Sequence, residues 1–266
     1  MHVAIGGFGA IGAKLAKRLD EGIEGLQLVA VSARNQERVR AAIASVRSPP
    51  AVLALAALAL DADVVVECAP AAVFREIAEP AIRAGRIFMP SSVGQLLVHA
   101  DLIELAKATR ARILVPTGAL LGLDAVRAAA EGTIRSVRMV TRKPPAGLDG
   151  APYLVENAIS LAGLTAPLKV FDGTARDGAK GFPANVNVAA ALSLAGIGPD
   201  RTFLEIWADP TVSRNTHAIE VEGDEARFSM TIENVPSAEN PRTGMLTPLS
   251  VIAALRALTS TLKVGS

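Results

Sequence analysis

The 266-residue chain exceeds the usual size of a single domain, so it folds as one large domain or two smaller ones, and either can enclose a full core. Hydrophobic residues make up 50% and aromatic residues only 3%, so the interior is built from Ala, Val, Leu and Ile, which suits parallel strands covered by helices. The net charge of +1, from 27 basic and 26 acidic residues, supplies no field to gather a polyanion and argues against nucleic acid, while the lone Cys68 excludes an intramolecular disulfide and a multi-cysteine metal site.

Met1 leads directly into an apolar run and a glycine cluster, without the basic leader of a secretory signal, and a cytoplasmic protein is expected. The longest apolar stretch, 51–60, is too short to span a bilayer, so no membrane association is expected. Residues 3–5 predict a strand and 10–19 a helix, with Ile11, Leu15, Ala16 and Leu19 at helical spacing. A strand at 26–31, a helix at 36–46 capped by Asn35, and a buried strand at 63–67 follow. Then come a helix at 73–84, a strand at 86–90, a helix at 102–109 and a strand at 113–115. This alternation predicts an α/β fold beginning with a doubly wound parallel sheet of Rossmann type, whose ligands sit at the carboxyl ends of strands.

From about residue 134 the pattern changes to strands at 136–141 and 169–174, a helix at 187–195, and strands at 202–208, 217–222 and 226–233, the last two joined at Gly223-Asp224. An α+β second domain with a largely antiparallel sheet is expected over 119–241, following a dinucleotide-binding domain over 1–118. Residues 236–241 punctuate its end, and within 242–266 an apolar helix at 246–262 is expected to pack back on the first domain.

Gly7-Phe8-Gly9-Ala10-Ile11-Gly12 fits the dinucleotide fingerprint in its required place, after a strand and opening a helix. Gly7 permits the turn, Gly9 admits the pyrophosphate and Gly12 permits close packing. About 20 residues further on, where an acidic residue usually holds the adenosine ribose, the chain reads Ser32-Ala33-Arg34-Asn35. Arg34 with Ser32 would meet a 2′-phosphate, so NADP is admitted beside NAD; a solvated loop arginine fits the position equally well.

Further strand ends carry small or hydroxyl residues: Cys68-Ala69-Pro70, Ser91-Ser92-Val93-Gly94 and Thr117-Gly118-Ala119. Ala69, Pro70 and Ser92 are read as cofactor contacts, and Ser91 and Thr117 as substrate candidates, although ordinary strand-to-helix turns use the same residues. Of the three histidines, His2 reads as a surface residue and His99 as a helix-start residue. His217, beside Arg214 and polar donors, is the best acid/base candidate, and a hydrogen-bonded strand histidine is the equal alternative. Glu67 reads as a strand-end residue near the cofactor and Asp124 as helical, with no His or Cys at ligand spacing and hence no metal expected.

Together, residues 6–12, Ser91-Ser-Val-Gly94, Pro116-Thr-Gly-Ala-Leu-Leu-Gly-Leu-Asp124, Thr141-Arg-Lys-Pro-Pro145, residues 182–190 and Asn215-Thr-His217 resemble the L-aspartate dehydrogenase family over essentially the whole chain. The resemblance implies reversible NAD- or NADP-dependent oxidative deamination of L-aspartate to iminoaspartate, then oxaloacetate and ammonia, with iminoaspartate also able to feed NAD biosynthesis. It implies His217 as the active-site histidine, Ala119 and Asn187 as dinucleotide contacts, and a homodimer. A dicarboxylate needs cationic or hydroxyl partners, for which Arg142, Lys143 and Arg214 join Ser91 and Thr117; Arg142 and Lys143 also fit a solvated strand end. A homoserine- or dihydrodipicolinate-type enzyme, or a non-catalytic dinucleotide sensor, would share the two-domain plan.

Overall fold

The computed structural model describes residues 1–44, 46–237 and 244–265. It divides into two compact units, Met1–Pro116 with Pro248–Lys263, and Thr117–Thr247 with Val264–Ser266. The expected boundary at 241–242 lies outside the described residues, as does most of the expected break at 236–241.

In the first unit β1 (His2–Gly6), α1 (Ala10–Glu21), β2 (Gln27–Ser32), α2 (Gln36–Ile43), β3 (Ala51–Val52), β4 (Val64–Glu67), α3 (Phe74–Arg83), β5 (Ile87–Pro90), α4 (Gly94–Val98), α5 (Asp101–Thr109) and β6 (Arg112–Ile113) follow in order. The six strands lie in the order β3-β2-β1-β4-β5-β6, and every pair is parallel. This is the doubly wound arrangement, in which the order reverses between β1 and β4 and strand ends there open a crevice. The inner strands are apolar on both faces because helices cover both: Val3, Ala4, Ile5, Val64, Val65 and Val66 are fully buried. Strand β3 and helix α4 were not anticipated, since elements of two and five residues are too short to show a period.

The second unit contains α6 (Leu123–Ala130), β7 (Ile134–Lys143), α7 (Pro152–Glu156), β8 (Leu168–Thr174), α8 (Ala175–Gly181), α9 (Asn187–Ala195), β9 (Thr202–Ala208), β10 (Asn215–Gly223) and β11 (Arg227–Asn234). Its sheet has the order β11-β10-β7-β9-β8, antiparallel throughout except for the parallel pair β7–β9. Alternation puts Val137, Met139, Leu204, Ile206, Ile219 and Val221 in the interior. Helices α8 and α9 cover that face: a Cβ on Gly178 would stand 2.8 Å from the Leu204 side chain, which would have to shift to admit it. The opposite face carries Arg138, Glu205, Trp207 and the half-exposed Phe203.

Helix α10 (Leu246–Thr259) returns to the first unit, where Val251 and Leu255 join the cluster of Leu15, Leu19 and Leu26, and the Thr259 hydroxyl donates to the Glu24 carbonyl at 2.8 Å. Among the described residues no helix is long and apolar enough to cross a membrane.

Candidate functional site

In the first unit the glycine cluster turns sharply between β1 and α1. Gly7 holds φ +105°, its N–H donates to the Ser32 carbonyl at 2.8 Å, and a Cβ there would lie 2.4 Å from the Cys68 carbonyl oxygen. A Cβ on Gly12 would lie 2.0 Å from the Gly7 carbonyl oxygen, so any side chain would push α1 off the strand. Gly9 differs: a Cβ there would meet nothing within 4 Å. It caps α1, which has neither a side-chain cap nor an acidic residue in its first turn, so free space lies over an uncompensated helix N-terminus. The residues thus fit a pyrophosphate, held by backbone N–H groups and the helix dipole. Phe8 and Ile11 pack against the core cluster. Arg34 is exposed just past β2, followed by Asn35, whose Oδ1 accepts from the Arg38 N–H at 2.9 Å and caps α2.

The ends of β4 and β5 are tied together by Glu67, which is fully buried. Its carboxylate accepts from the N–H of Ala69 at 2.8 Å, the N–H of Ser92 at 2.9 Å and the Ser92 hydroxyl at 3.1 Å. Ser91 contacts the Cys68 thiol at 3.6 Å, and Pro70 is exposed. Burial raises the Glu67 pKa from 4.5 to about 7, against the pull of these donors, chiefly the Ser92 and Ala69 N–H groups.

The folded state therefore holds a proton on Glu67 that the unfolded chain has released, and the associated stability is present below pH 4.5 and lost as pH rises through about 7. The expected result is that the stability difference between parent and Glu67→Gln, from urea unfolding, falls by about 3 kcal/mol across that range. A difference independent of pH would show that Glu67 does not titrate there.

The second unit gathers a different set at one end of its helix-covered sheet face. His217 on β10 stands opposite Thr141 on β7, with Nδ1 3.1 Å from the Thr141 hydroxyl, and both are buried. Two residues along each strand, on the same face, are Lys143 and Asn215. Lys143 is 4% exposed, and its ammonium donates to Asn185 Oδ1 at 2.8 Å. The cross-strand partner of Asn215 is Asn234, whose amide donates to the Ala119 carbonyl at 2.8 Å and so holds the turn after Thr117. Burial, and then the positive charge of Lys143, push the His217 pKa down from 6.5 to about 3. His217 is therefore neutral at pH 7, rather than poised to titrate there as its type alone suggests.

The remaining expected residues are distributed unevenly. Arg142, one step from Lys143, points to the other face, where it pairs with Asp209 at 3.2 Å and lies over the Trp207 ring at 4.6 Å. Arg214 is exposed and pairs with Glu233 at 3.7 Å. Thr117 is exposed, and Asn187 is the first residue of α9. Thr141, Asn185, Asn215 and Asn234 were not singled out individually from the sequence. A period-two reading would have found the first and third: the sequence ends β7 at residue 141 and begins β10 at 217, which cuts Lys143 and Asn215 from their strands. Among the described residues no group of three or more His, Cys, Asp or Glu could hold a metal.

A parallel sheet with an open glycine cradle, followed by a mixed sheet bearing a buried histidine and lysine, defines a two-unit dinucleotide-dependent oxidoreductase. Residues 7–116 match the family model for the NAD-binding domain of homoserine dehydrogenase, and residues 124–258 match that for the C-terminal part of aspartate dehydrogenase. The chain is 59% identical to an L-aspartate dehydrogenase of Bradyrhizobium diazoefficiens, over 100% of this chain and 94% of the relative. It is 55% identical to L-aspartate dehydrogenase 3 of Bordetella bronchiseptica, over 100% and 98%. The crystal structure of aspartate dehydrogenase from Thermotoga maritima shares the fold with a TM-score of 0.75 at 24% identity, covering 100% of this chain and 99% of that one. The chain belongs to the aspartate dehydrogenase family.

Proposed function

We propose that the protein catalyses the reversible, nicotinamide-dependent oxidative deamination of L-aspartate, with His217 as its acid/base residue. One observation carries this reading: a buried neutral imidazole and a buried ammonium share one sheet face, at Thr141–His217 and Lys143–Asn185. A neutral imidazole can take the proton that an α-ammonium must lose before its carbon gives up hydride. The ammonium of Lys143 supplies the charge that a carboxylate needs. When Nδ1–H donates to the Thr141 hydroxyl, Nε2 carries the lone pair and is the basic atom.

The chemistry that a nicotinamide would supply, when bound, is acceptance of hydride from the α-carbon. Gly7, Gly9 and Gly12, with the first turn of α1, would hold the pyrophosphate, and Ala69, Pro70 and Ser92 beside Glu67 would border the cofactor; Ala119 and Asn187 are proposed as dinucleotide contacts on the family resemblance alone. His217 gives its first proton to solvent; water then adds to iminoaspartate, and His217 accepts a proton from that water and passes it to the departing amine, so that oxaloacetate and ammonia leave. In the reductive direction oxaloacetate and ammonium should consume the reduced cofactor and yield L-aspartate. Consumption that does not require ammonium would contradict the proposal.

The exposed Arg34 supports use of NADP as well as NAD, since no acidic residue stands there to repel a 2′-phosphate, whereas Ser32, expected beside it, is buried. Arg34→Asp is expected to raise KM for NADP by about tenfold or more relative to that for NAD. An unchanged ratio would remove Arg34 from the cofactor site. A homodimer is proposed on the family resemblance, and a cytoplasmic location fits the single cysteine.

A further inference from the structure

Asn215 opens β10 two residues before His217 and is 3% exposed. Its Oδ1 is the one buried side-chain nitrogen or oxygen among the described residues with no hydrogen-bond partner. A buried amide acceptor with no protein donor is unfavourable, and a donor brought by a ligand would satisfy it. Gly147 lies beside it: a Cβ there would stand 4.0 Å from Oδ1 and 3.9 Å from the Lys143 stem, in ordinary contact, so all three border one spot. The neighbouring groups are engaged otherwise, with Thr141 on His217, Lys143 donating to Asn185 and Asn234 donating to Ala119.

An orphan acceptor selects for a ligand that donates, and carboxylates donate nothing at neutral pH. Of the groups on L-aspartate, only the α-ammonium does. Residues two apart on a strand lie about 7 Å from each other, so Asn215 and His217 can both reach a four-carbon substrate. We infer that Asn215 Oδ1 accepts a hydrogen bond from the α-ammonium of L-aspartate and is the residue by which the site distinguishes the amino acid from a dicarboxylate lacking the amine. This assignment rests on the aspartate reading above.

The test is calorimetric titration of L-aspartate and of succinate into the protein saturated with reduced cofactor. The parent is expected to bind L-aspartate more tightly than succinate. Asn215→Leu should weaken L-aspartate about tenfold or more and leave succinate unchanged, with a melting temperature no lower than the parent's because an apolar group replaces the orphan. Asn215→Ala should show the same selective loss, which keeps the test decisive if the leucine variant does not fold. Equal weakening of both ligands, or no weakening of L-aspartate, overturns the assignment. A parent that binds cofactor but neither dicarboxylate overturns the aspartate reading itself, and with it this one, before any variant is made.

Discussion

His217→Gln is expected to turn over L-aspartate about a hundred- to ten-thousandfold more slowly than the parent, with the affinity for cofactor unchanged. Glutamine keeps a polar group near the Thr141 hydroxyl but cannot accept a proton at neutral pH. His217 is not among the residues proposed to hold the dinucleotide, so cofactor binding should change little. Steady-state rates with a parallel fluorescence titration of reduced cofactor would separate the two effects. A variant that keeps its rate would remove His217 from the chemistry, and a parent with no rate to lose would indicate a dinucleotide sensor.

The pH behaviour of this pair carries a second signature. Burial first, and Lys143 second, hold the imidazole neutral down to about pH 3, while the unfolded chain protonates it near 6.5. The folded state thus binds fewer protons, and the stability tied to His217 is present above pH 6.5 and lost as pH falls toward 3. Between pH 4.5 and 6.5 this acts against Glu67, whose associated stability falls as pH rises. His217→Gln should therefore be less acid-sensitive than the parent, by up to about 5 kcal/mol at the acidic limit. A bound carboxylate near Lys143 offsets the second of the two causes, so the acid limb of kcat should lie at higher pH than that of kcat/KM.

Lys143→Met is expected to raise KM for L-aspartate about a hundredfold, with much less change in kcat, because it removes a charge that both substrate and transition state use. The melting temperature should move little. Relief of the cost of burying an ammonium offsets the loss of the donor to Asn185 Oδ1. The same substitution removes a positive charge beside His217, and the acid limb of kcat/KM should shift upward. If KM stays at the parent value, Lys143 does not hold a carboxylate.

The first unit was readable from sequence because its signals are local. The strand–glycine–helix junction lies within a few residues, and the apolar runs of β1 and β4 announce burial on both faces. The second cluster depends on partners far apart in the chain: Thr141 meets His217 across 76 residues, and Asn234 meets Ala119 across 115. Which of two adjacent cations enters it is decided by strand parity, and parity sends Lys143 inward and Arg142 onto Trp207. Glu67 was legible as a strand-end residue but not as a bracket, because its partners Ala69 and Ser92 meet only once β4 pairs with β5.

The most direct test of the central claim is the initial rate of reduced-nicotinamide formation with L-aspartate, compared with L-malate and L-homoserine, using NAD and NADP in turn. The expected result is turnover with L-aspartate that releases one ammonia per reduced cofactor and exceeds the rate with either alternative. No reduction with L-aspartate, alongside turnover of another acid, would contradict it.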